Sequence, residues 1–331
     1  MAENSIRALV VTAHGGQEVL QVQSRPLPEP GPGEVRLEVA AAGVNFIDVY
    51  QRTGVYPIPT PFVLGGEGAG RVTALGDGVT DVAVGDLVAT ADASGAMAEA
   101  MVVAAEHVVP VPDGVTAEVA AAAMLQGMTA HYLVNSTYAV QPGDEVLVHA
   151  AAGGMGQLLV QLAKAKGAHV VATVGTAAKA AIASDLGADS VIRYDDVDDL
   201  AAAIRDASNG GVHVAYDGVG KATFDASLAS LRRRGMMALF GAASGAVPPV
   251  DPQRLNSGGS LFLTRPTLKH YTATREELLW RSGEILGAIA AGELRISIGG
   301  RYPLDEAQHA YRDLEGRATT GKLLVLPRPV A

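Results

Sequence analysis

The sequence predicts an α/β fold, a small β-barrel followed by a doubly wound parallel sheet, on three observations. Glu145 to Lys166 reads as strand, glycine turn and helix; strands and helices then alternate as far as Phe240; and Ile6 to Val111 carries only short strand and tight-turn signals. In the first of these, Val146 to His149 is an apolar run suited to a buried parallel strand, and Leu158, Leu159 and Leu162 recur at helical spacing after Gly153, Gly154 and Gly156. Such a turn lets the backbone lie against a pyrophosphate and aims free N–H groups and the positive end of the helix dipole at the anion. As a dinucleotide fingerprint it reads Ala151-x-Gly153-x-x-Gly156, with alanine in place of the first glycine.

Composition bounds the rest. With 331 residues, 48% of them hydrophobic, the chain can bury a large core and divide into two domains. It has no cysteine, which removes disulfides, thiolate nucleophiles and every cysteine-bearing zinc site. None of the eight histidines has another four residues away, so no helical pair of metal ligands is present. A net charge of −10 argues against a nucleic-acid surface and leaves a small molecule as the expected partner. The N-terminal residues lack a basic region followed by an apolar one, and no uninterrupted apolar run approaches the roughly 18 residues of a membrane span, so a cytoplasmic protein is expected.

Taken in order, Val35, Leu37 and Val39 alternate with charged or small residues, Gly76-Asp77-Gly78 marks a turn, and Gly85-Asp86 precedes Leu87-Val88-Ala89. Pro26, Pro28, Pro30 and Pro32 suit an extended surface crossing. Ala117 to Tyr138 reads as a linking helix closed by the turn Gln141-Pro142-Gly143-Asp144. Beyond the central unit come strand His169 to Val174, helix Ala177 to Leu186, strand Ser190 to Tyr194, helix Asp198 to Ser208, strand Val212 to Tyr216, helix Lys221 to Leu231 and strand Gly235 to Phe240. Crossovers of helical length imply a parallel sheet covered on both faces. Arg232-Arg233-Arg234 reads as a basic cap on the helix before it. Ser260 to Thr264 is a further apolar run, Thr274 begins a long helix, a last helix covers Leu304 to Leu314, and Lys322 to Leu326 is a final strand.

With these elements placed, the chain resembles the zinc-independent medium-chain dehydrogenase/reductases, and within them the NADPH:quinone oxidoreductases of the zeta-crystallin type. The similarity covers nearly the whole chain and is carried by Ala42-Gly-Val-Asn-Phe-Ile-Asp48, Tyr50, Gly54-Val-Tyr-Pro57, Gly127-Met-Thr129 and His149 to Gly156. It continues through Gly175-Thr176 with Lys179, Tyr216-Asp-Gly-Val-Gly220, Phe240-Gly241, Ser244-Gly245, Thr264-Arg-Pro266 and Arg317-Ala-Thr319. The resemblance implies a GroES-like β-barrel catalytic domain (residues 1–124, completed by 267–331) and an NADPH-binding Rossmann domain (residues 125–266). Where the zinc-dependent branch has a catalytic cysteine and a histidine, this chain has Asn45 and Gly66. Without a metal Lewis acid, alcohol oxidation is disfavoured, whereas an electron-poor quinone accepts hydride with little help.

The strand after the fingerprint selects the cofactor. An NAD site places Asp or Glu about 20 residues on, to hold the ribose hydroxyls. Here the strand ends Ala172-Thr-Val-Gly175-Thr176 with no acid, and Lys179 follows, which favours the 2′-phosphate of NADPH. In proteins of the resembled type Tyr194 sits beside that phosphate, Thr129 meets the nicotinamide region and Arg317 a cofactor phosphate. Ala152, Gly153, Gly154, Met155 and Gly156 form the pyrophosphate turn, and Phe240 and Ser244 complete the cofactor set. Asn45, in the vacated metal position, is expected to hold a substrate or nicotinamide carbonyl. Tyr50 and Tyr56 are expected to face cofactor and substrate, as pocket walls rather than acids because a free phenol has a pKa of about 10. Gln126 departs from the lysine common at that place in relatives. His149 is expected to be a packed residue. Reduction of an activated C=C bond is the alternative activity, and a non-catalytic NADPH- or RNA-binding crystallin-like role is the reading from another class. The apolar, proline-free run Ser260 to Thr264 would otherwise leave a sticky edge, so it is expected to pair across a two-fold axis in a homodimer.

Overall fold

The computed structural model describes residues 4–328. The chain divides into two compact units, residues 1–125 with 274–331 and residues 126–273.

The first unit opens with β1 (Ser5–Val11), β2 (Leu20–Pro26), β3 (Glu34–Gly43) and helix α1 (Phe46–Arg52). It continues through β4 (Phe62–Val63), β5 (Gly68–Leu75), β6 (Leu87–Thr90), β7 (Ala100–Ala104) and β8 (Val109–Pro110). Helix α2 (Ala117–Tyr132) belongs to both units. β1 pairs antiparallel with β2 and β4, and β3 is the hub of the larger sheet, pairing antiparallel with β5, β7 and a strand from the far end of the chain. Alternation places Val35, Leu37 and Val39 of β3 inward, where they share one core with Leu9, Val72, Val88 and Leu323. This is the β-rich unit that the short strands and Gly-Asp turns foretell.

The second unit runs β9 (Glu145–Val148), α3 (Gly154–Ala165), β10 (His169–Val174), α4 (Ala177–Asp185), β11 (Ser190–Arg193) and α5 (Leu200–Ala207). β12 (Val212–Asp217), α6 (Phe224–Ser230), β13 (Leu231–Leu239), α7 (Gln253–Ser257) and β14 (Phe262–Thr264) complete it. The sheet order is β11-β10-β9-β12-β13-β14, and every pairing is parallel. The order reverses between β9 and β12, and ligands of such sheets bind outside the carboxyl ends of the strands at that point.

The chain then returns to the first unit with α8 (Arg275–Ala290), β15 (Ile298–Pro303), α9 (Ala307–Glu315) and β16 (Lys322–Leu326). The Thr274 hydroxyl accepts from the Glu277 N–H and starts α8 as its cap.

Several elements depart from the sequence reading, among them α1, which starts on the Asn45–Asp48 capping box where only strands and turns are expected, and the short helix α7, where no element is expected. Arg232, Arg233 and Arg234 do not cap a helix. α6 stops at Ser230, and the arginines lie exposed in an outward bulge of β13, whose pairing passes from Val212↔Leu231 to Val214↔Met236. Three more residues on β13 than on β12 must leave the ladder there, and long cations are the side chains that water holds best. The linking helix ends at Tyr132 and is followed by a wider π-type turn, Leu133–Thr137. β15 has no counterpart in the sequence reading; it pairs parallel with β16 and carries Gly299 and Gly300, residues that weaken any strand signal.

Candidate functional site

At the carboxyl end of β9 the chain turns sharply. Ala150 adopts φ 50°, and the Gly153 N–H closes on the Ala150 carbonyl at 2.9 Å. α3 begins at Gly154, and Gly156 packs so closely under the turn that a Cβ there would lie 2.4 Å from the Ala150 oxygen. Only glycine admits that approach, so the turn is compact and its outer face is backbone. Ala152 is buried, while Gly153, Gly154 and Met155 are partly exposed. The Gln126 amide lies against this turn: a Cβ on Gly154 would meet its Oε1 at 2.2 Å. The departure at Gln126 therefore falls against the turn itself, where it contributes an uncharged amide.

The end of β10 supplies the second part. Thr176 caps α4, its hydroxyl accepting from the Lys179 N–H at 3.2 Å. The Tyr194 hydroxyl lies over Gly175, where a Cβ would come within 2.4 Å of it, and the tyrosine is 45% exposed. Glycine at 175 thus makes room for a phenol at the surface, and no carboxylate follows the strand. The predicted residues Gly175, Thr176, Lys179 and Tyr194 come together on one stretch of the sheet's edge.

On the other side of the reversal, Asp217 ends β12. Its Oδ1 accepts from the Val219 and Gly220 N–H groups at 2.8 and 2.9 Å. The Phe240 ring packs on Gly218, the Phe240 N–H donates to the Asp217 carbonyl at 2.9 Å, and the Ser244 hydroxyl donates to the Val219 carbonyl at 2.8 Å. Phe240 and Ser244 are therefore braced by the loop after β12. Thr129 is buried in α2. Arg317 is exposed, with φ 56°, just beyond α9 in the first unit.

His149 is packed, as expected, and also hydrogen-bonded at both nitrogens, Nδ1 to Thr173 Oγ1 at 2.7 Å and Nε2 to Ser227 Oγ at 2.8 Å. Ser227 and Thr223 both donate to Asp217 Oδ2 at 2.7 Å. The single hydroxyl hydrogen of Ser227 is thereby used, so Ser227 accepts from His149 Nε2–H, and Nδ1 accepts from the Thr173 hydroxyl. Burial lowers the imidazole pKa, with the Asp217 charge opposing, in keeping with a neutral ring. Ser, His and Asp occur together here, but the serine stands between the other two and is fully buried, which excludes nucleophilic catalysis.

In the first unit the structure places Asn45 at the N-terminus of α1, 4% exposed. Its backbone N–H donates to Asp48 Oδ2 at 2.9 Å, and its Nδ2 donates to Gly43 O at 3.2 Å and Glu67 Oε2 at 2.8 Å. Lys322 Nζ donates to Asn45 Oδ1 and to Glu67 Oε2, both at 2.6 Å, and Glu67 also accepts from the Leu125 N–H. Both amide hydrogens of Asn45 are thus directed at protein partners, and a ligand carbonyl would have to displace one. Among the described residues, no three His, Asp or Glu side chains converge to hold a metal ion.

α1 is staked at both ends. Tyr311 of α9 donates to Asp48 Oδ2 at 2.9 Å, and Arg52 grips Glu315 of α9 through two N–H groups at 2.9 and 3.1 Å. Asp48 Oδ1 is buried without a partner, and desolvation raises the carboxyl pKa to about 7. The same helix presents Tyr50, whose ring meets Tyr56 edge-on at 5.5 Å and Phe46 at 6.4 Å. Tyr56 is 45% and Val55 63% exposed. Tyr50 and Tyr56 therefore form a surface aromatic pair, held by the partners of α1.

Glu67, Lys322, Asp48, Tyr311 and the relay through Ser227 were missed by the sequence reading. The one available signal was Gly65-Gly66-Glu67, whose glutamate follows the vacated metal position.

Residues 31–113 match the alcohol dehydrogenase GroES-like domain, and residues 154–278 match the zinc-binding dehydrogenase family. The quinone oxidoreductase of Salmonella typhimurium is 44% identical over 95% of this chain and 97% of its own. The 2-haloacrylate reductase of Burkholderia sp is 41% identical over 98% of this chain and 99% of its own. Among solved structures, Escherichia coli quinone oxidoreductase complexed with NADPH superposes with a TM-score of 0.94 at 42% identity, over 97% of this chain and 100% of that one. A mycobacterial protein complexed with NADPH gives the same TM-score of 0.94 at 51% identity, over 97% and 100% of the two chains.

Proposed function

Because the chain belongs to the quinone oxidoreductase family of the medium-chain dehydrogenase/reductases, we propose that it is an NADPH-dependent quinone oxidoreductase acting without a metal. The observation that carries the cofactor part is the end of β10. Gly175 under the Tyr194 phenol, Lys179 in the first turn of α4 and the absence of a carboxylate suit a 2′-phosphate, which an acid there would repel. The turn Ala152 to Gly156 and the N-terminus of the 12-residue α3 fit a pyrophosphate, since backbone N–H groups and the helix dipole favour an anion there. Bound NADPH supplies the hydride. Of the chain's own residues, Phe240 and Ser244 line the far side of the sheet's edge. Thr129 and Arg317 are proposed cofactor contacts, and Asn45 is proposed to act from its place at the start of α1.

Tyr50 and Tyr56 are proposed as the wall on which a quinone ring packs, since offset and edge-on ring contacts favour flat aromatic partners. The reading without a metal rests on donor chemistry: an amide at 45 and glycine at 66 offer neither thiolate nor imidazole. The test is NADPH oxidation scanned against quinones, enones and alcohols, with NADH in parallel. NADPH is expected to win, and Lys179→Ala is expected to raise its KM by roughly 10- to 150-fold, the worth of one charge-assisted contact. Equal kinetics with the two cofactors would sink the assignment of the 2′-phosphate site.

A second reading, reduction of an activated C=C bond, draws on the similarity to 2-haloacrylate reductase, and the same scan separates it. The crystallin-like or RNA-binding role is disfavoured by the net charge of −10. A homodimer is part of the proposal: β14 is an edge strand and its Phe262 is 55% exposed, a surface that a second copy would cover. A monomer in sedimentation at micromolar concentration would overturn that part. A cytoplasmic setting, where NADPH is regenerated, goes with the same reading; no helix among the described residues is long and apolar enough to cross a membrane.

A further inference from the structure

The hydrogen-bonded chain Thr173–His149–Ser227–Asp217 lies beneath both turns of the proposed cofactor edge and touches neither's outer surface. All four side chains are buried, 4% exposed or less. His149 immediately precedes Ala150, the residue held at φ 50° in the pyrophosphate turn, a conformation that costs a residue with a Cβ. Asp217, at the other end, fixes the loop that braces Phe240 and Ser244 through two backbone N–H groups. Ser227 joins the two halves, donating to Asp217 and accepting from His149. The backbone ladder joins β9 to β12 as far as the His149 N–H and the Tyr216 carbonyl, at 3.4 Å, and the relay carries the link past the strand ends.

We infer that His149 and Ser227 are positioning residues for the dinucleotide: they lock the turn after β9 to the loop after β12, so that the two halves of the cofactor edge keep a fixed spacing. The inference rests on the NADPH reading. It separates two parts of the ligand. The adenosine 2′-phosphate end would be held by Gly175, Thr176, Lys179 and Tyr194, none of which Ser227 supports. Pyrophosphate and nicotinamide ribose would span the turns that the relay joins. Loss of the relay should therefore weaken the whole dinucleotide and spare its 2′-phosphate fragment.

The experiment is calorimetric titration of NADPH and of adenosine 2′-monophosphate into the wild-type protein and into Ser227→Ala, His149→Phe and His149→Gln. Ser227→Ala is expected to weaken NADPH about tenfold, the scale of one buried hydrogen bond, and to leave the monophosphate within about twofold. His149→Gln keeps an N–H directed at Ser227 and is expected to lose less NADPH affinity than His149→Phe. Should His149→Phe fail to fold, Ser227→Ala carries the test alone. An equal loss of both ligands in Ser227→Ala would show a general structural role and overturn the inference, and so would unchanged binding of both. A wild-type protein that binds neither ligand would overturn the cofactor reading and the relay with it.

Discussion

Each unit buries a knot of polar side chains beneath its proposed working surface, and the two knots are built on opposite principles. In the first unit Asn45, Glu67 and Lys322 form an ion pair closed by an amide, with the Asp48–Tyr311 pair beside it. In the second, a neutral imidazole and two hydroxyls pass hydrogen bonds to one carboxylate, Asp217. The first holds a helix and its aromatic surface in place from a distant part of the chain. The second joins neighbouring strand ends. Taking two full charges out of water is costly and is repaid only while both partners are present, whereas a relay of neutral donors degrades one bond at a time. The lesson is that equally buried networks differ in how they fail.

The largest expected effect follows directly. Lys322→Met leaves Glu67 charged, fully buried and unpaired, and is expected to cost about 3–5 kcal/mol of stability, read as a fall in the denaturant midpoint. Adding Glu67→Gln should recover part of that loss; no recovery would show that packing, not charge, holds the knot. Ser227→Ala, which strands one imidazole N–H, is expected to cost about 1–3 kcal/mol in the same measurement. A cost matching that of Lys322→Met would erase the distinction between the two knots.

Acidity sharpens the contrast because the two networks respond with opposite sign. Asp48 binds its proton up to about pH 7 in the folded chain, against an ordinary carboxyl value of 3.8. Its protonated form contributes stability that is complete below the ordinary value and is lost as pH rises through about 7. His149 is shifted down from 6.5, so its contribution is present above that value and is lost as pH falls through the folded pKa. Asp48→Asn should therefore flatten the alkaline decline of the stability curve, and His149→Gln the acid decline. Urea midpoints measured across the pH range check both; an unchanged alkaline slope in Asp48→Asn would mean that the buried carboxyl is neutralised by another route.

The smallest effect concerns the surface that the charged knot supports. Tyr50→Phe keeps the ring and its contacts, so quinone turnover should fall less than about tenfold, below the range of 10² to 10⁴ that a general acid contributes. A larger fall in kcat with a good quinone acceptor would show that the first unit supplies a proton as well as a wall.

How much of this was legible depended on whether the signal was local. The turn Gly153 to Gly156, the β/α alternation and the cap at Thr274 announce themselves within a few residues, and the structure has them there. Charged residues read as solvated unless a partner is known, and Lys322 and Glu67 stand 255 positions apart, so their burial had no local sign. Arg232 to Arg234 misled in the opposite way. A basic run after a helical pattern is ordinarily a cap, and the bulge that expels it is dictated by the register of β12, a neighbour that the run itself does not encode. The site residues divide along the same line. The glycines and Lys179 could be named from spacing, but the full hydrogen bonding of Asn45 could not, because its partners come from β5's leading edge and from β16.

The return of the chain to the first unit bears on biosynthesis. Residues 126–273 are continuous and can collapse as soon as they are made. The N-terminal strands cannot be completed so early: β3 awaits β16, Arg52 awaits Glu315, and Glu67 has no counter-charge until Lys322 is made. The half that is translated first is finished last. A chain ending before Lys322 should thus give a protease-resistant core from the second unit alone, and the newly made first unit is the part that most needs shielding during synthesis.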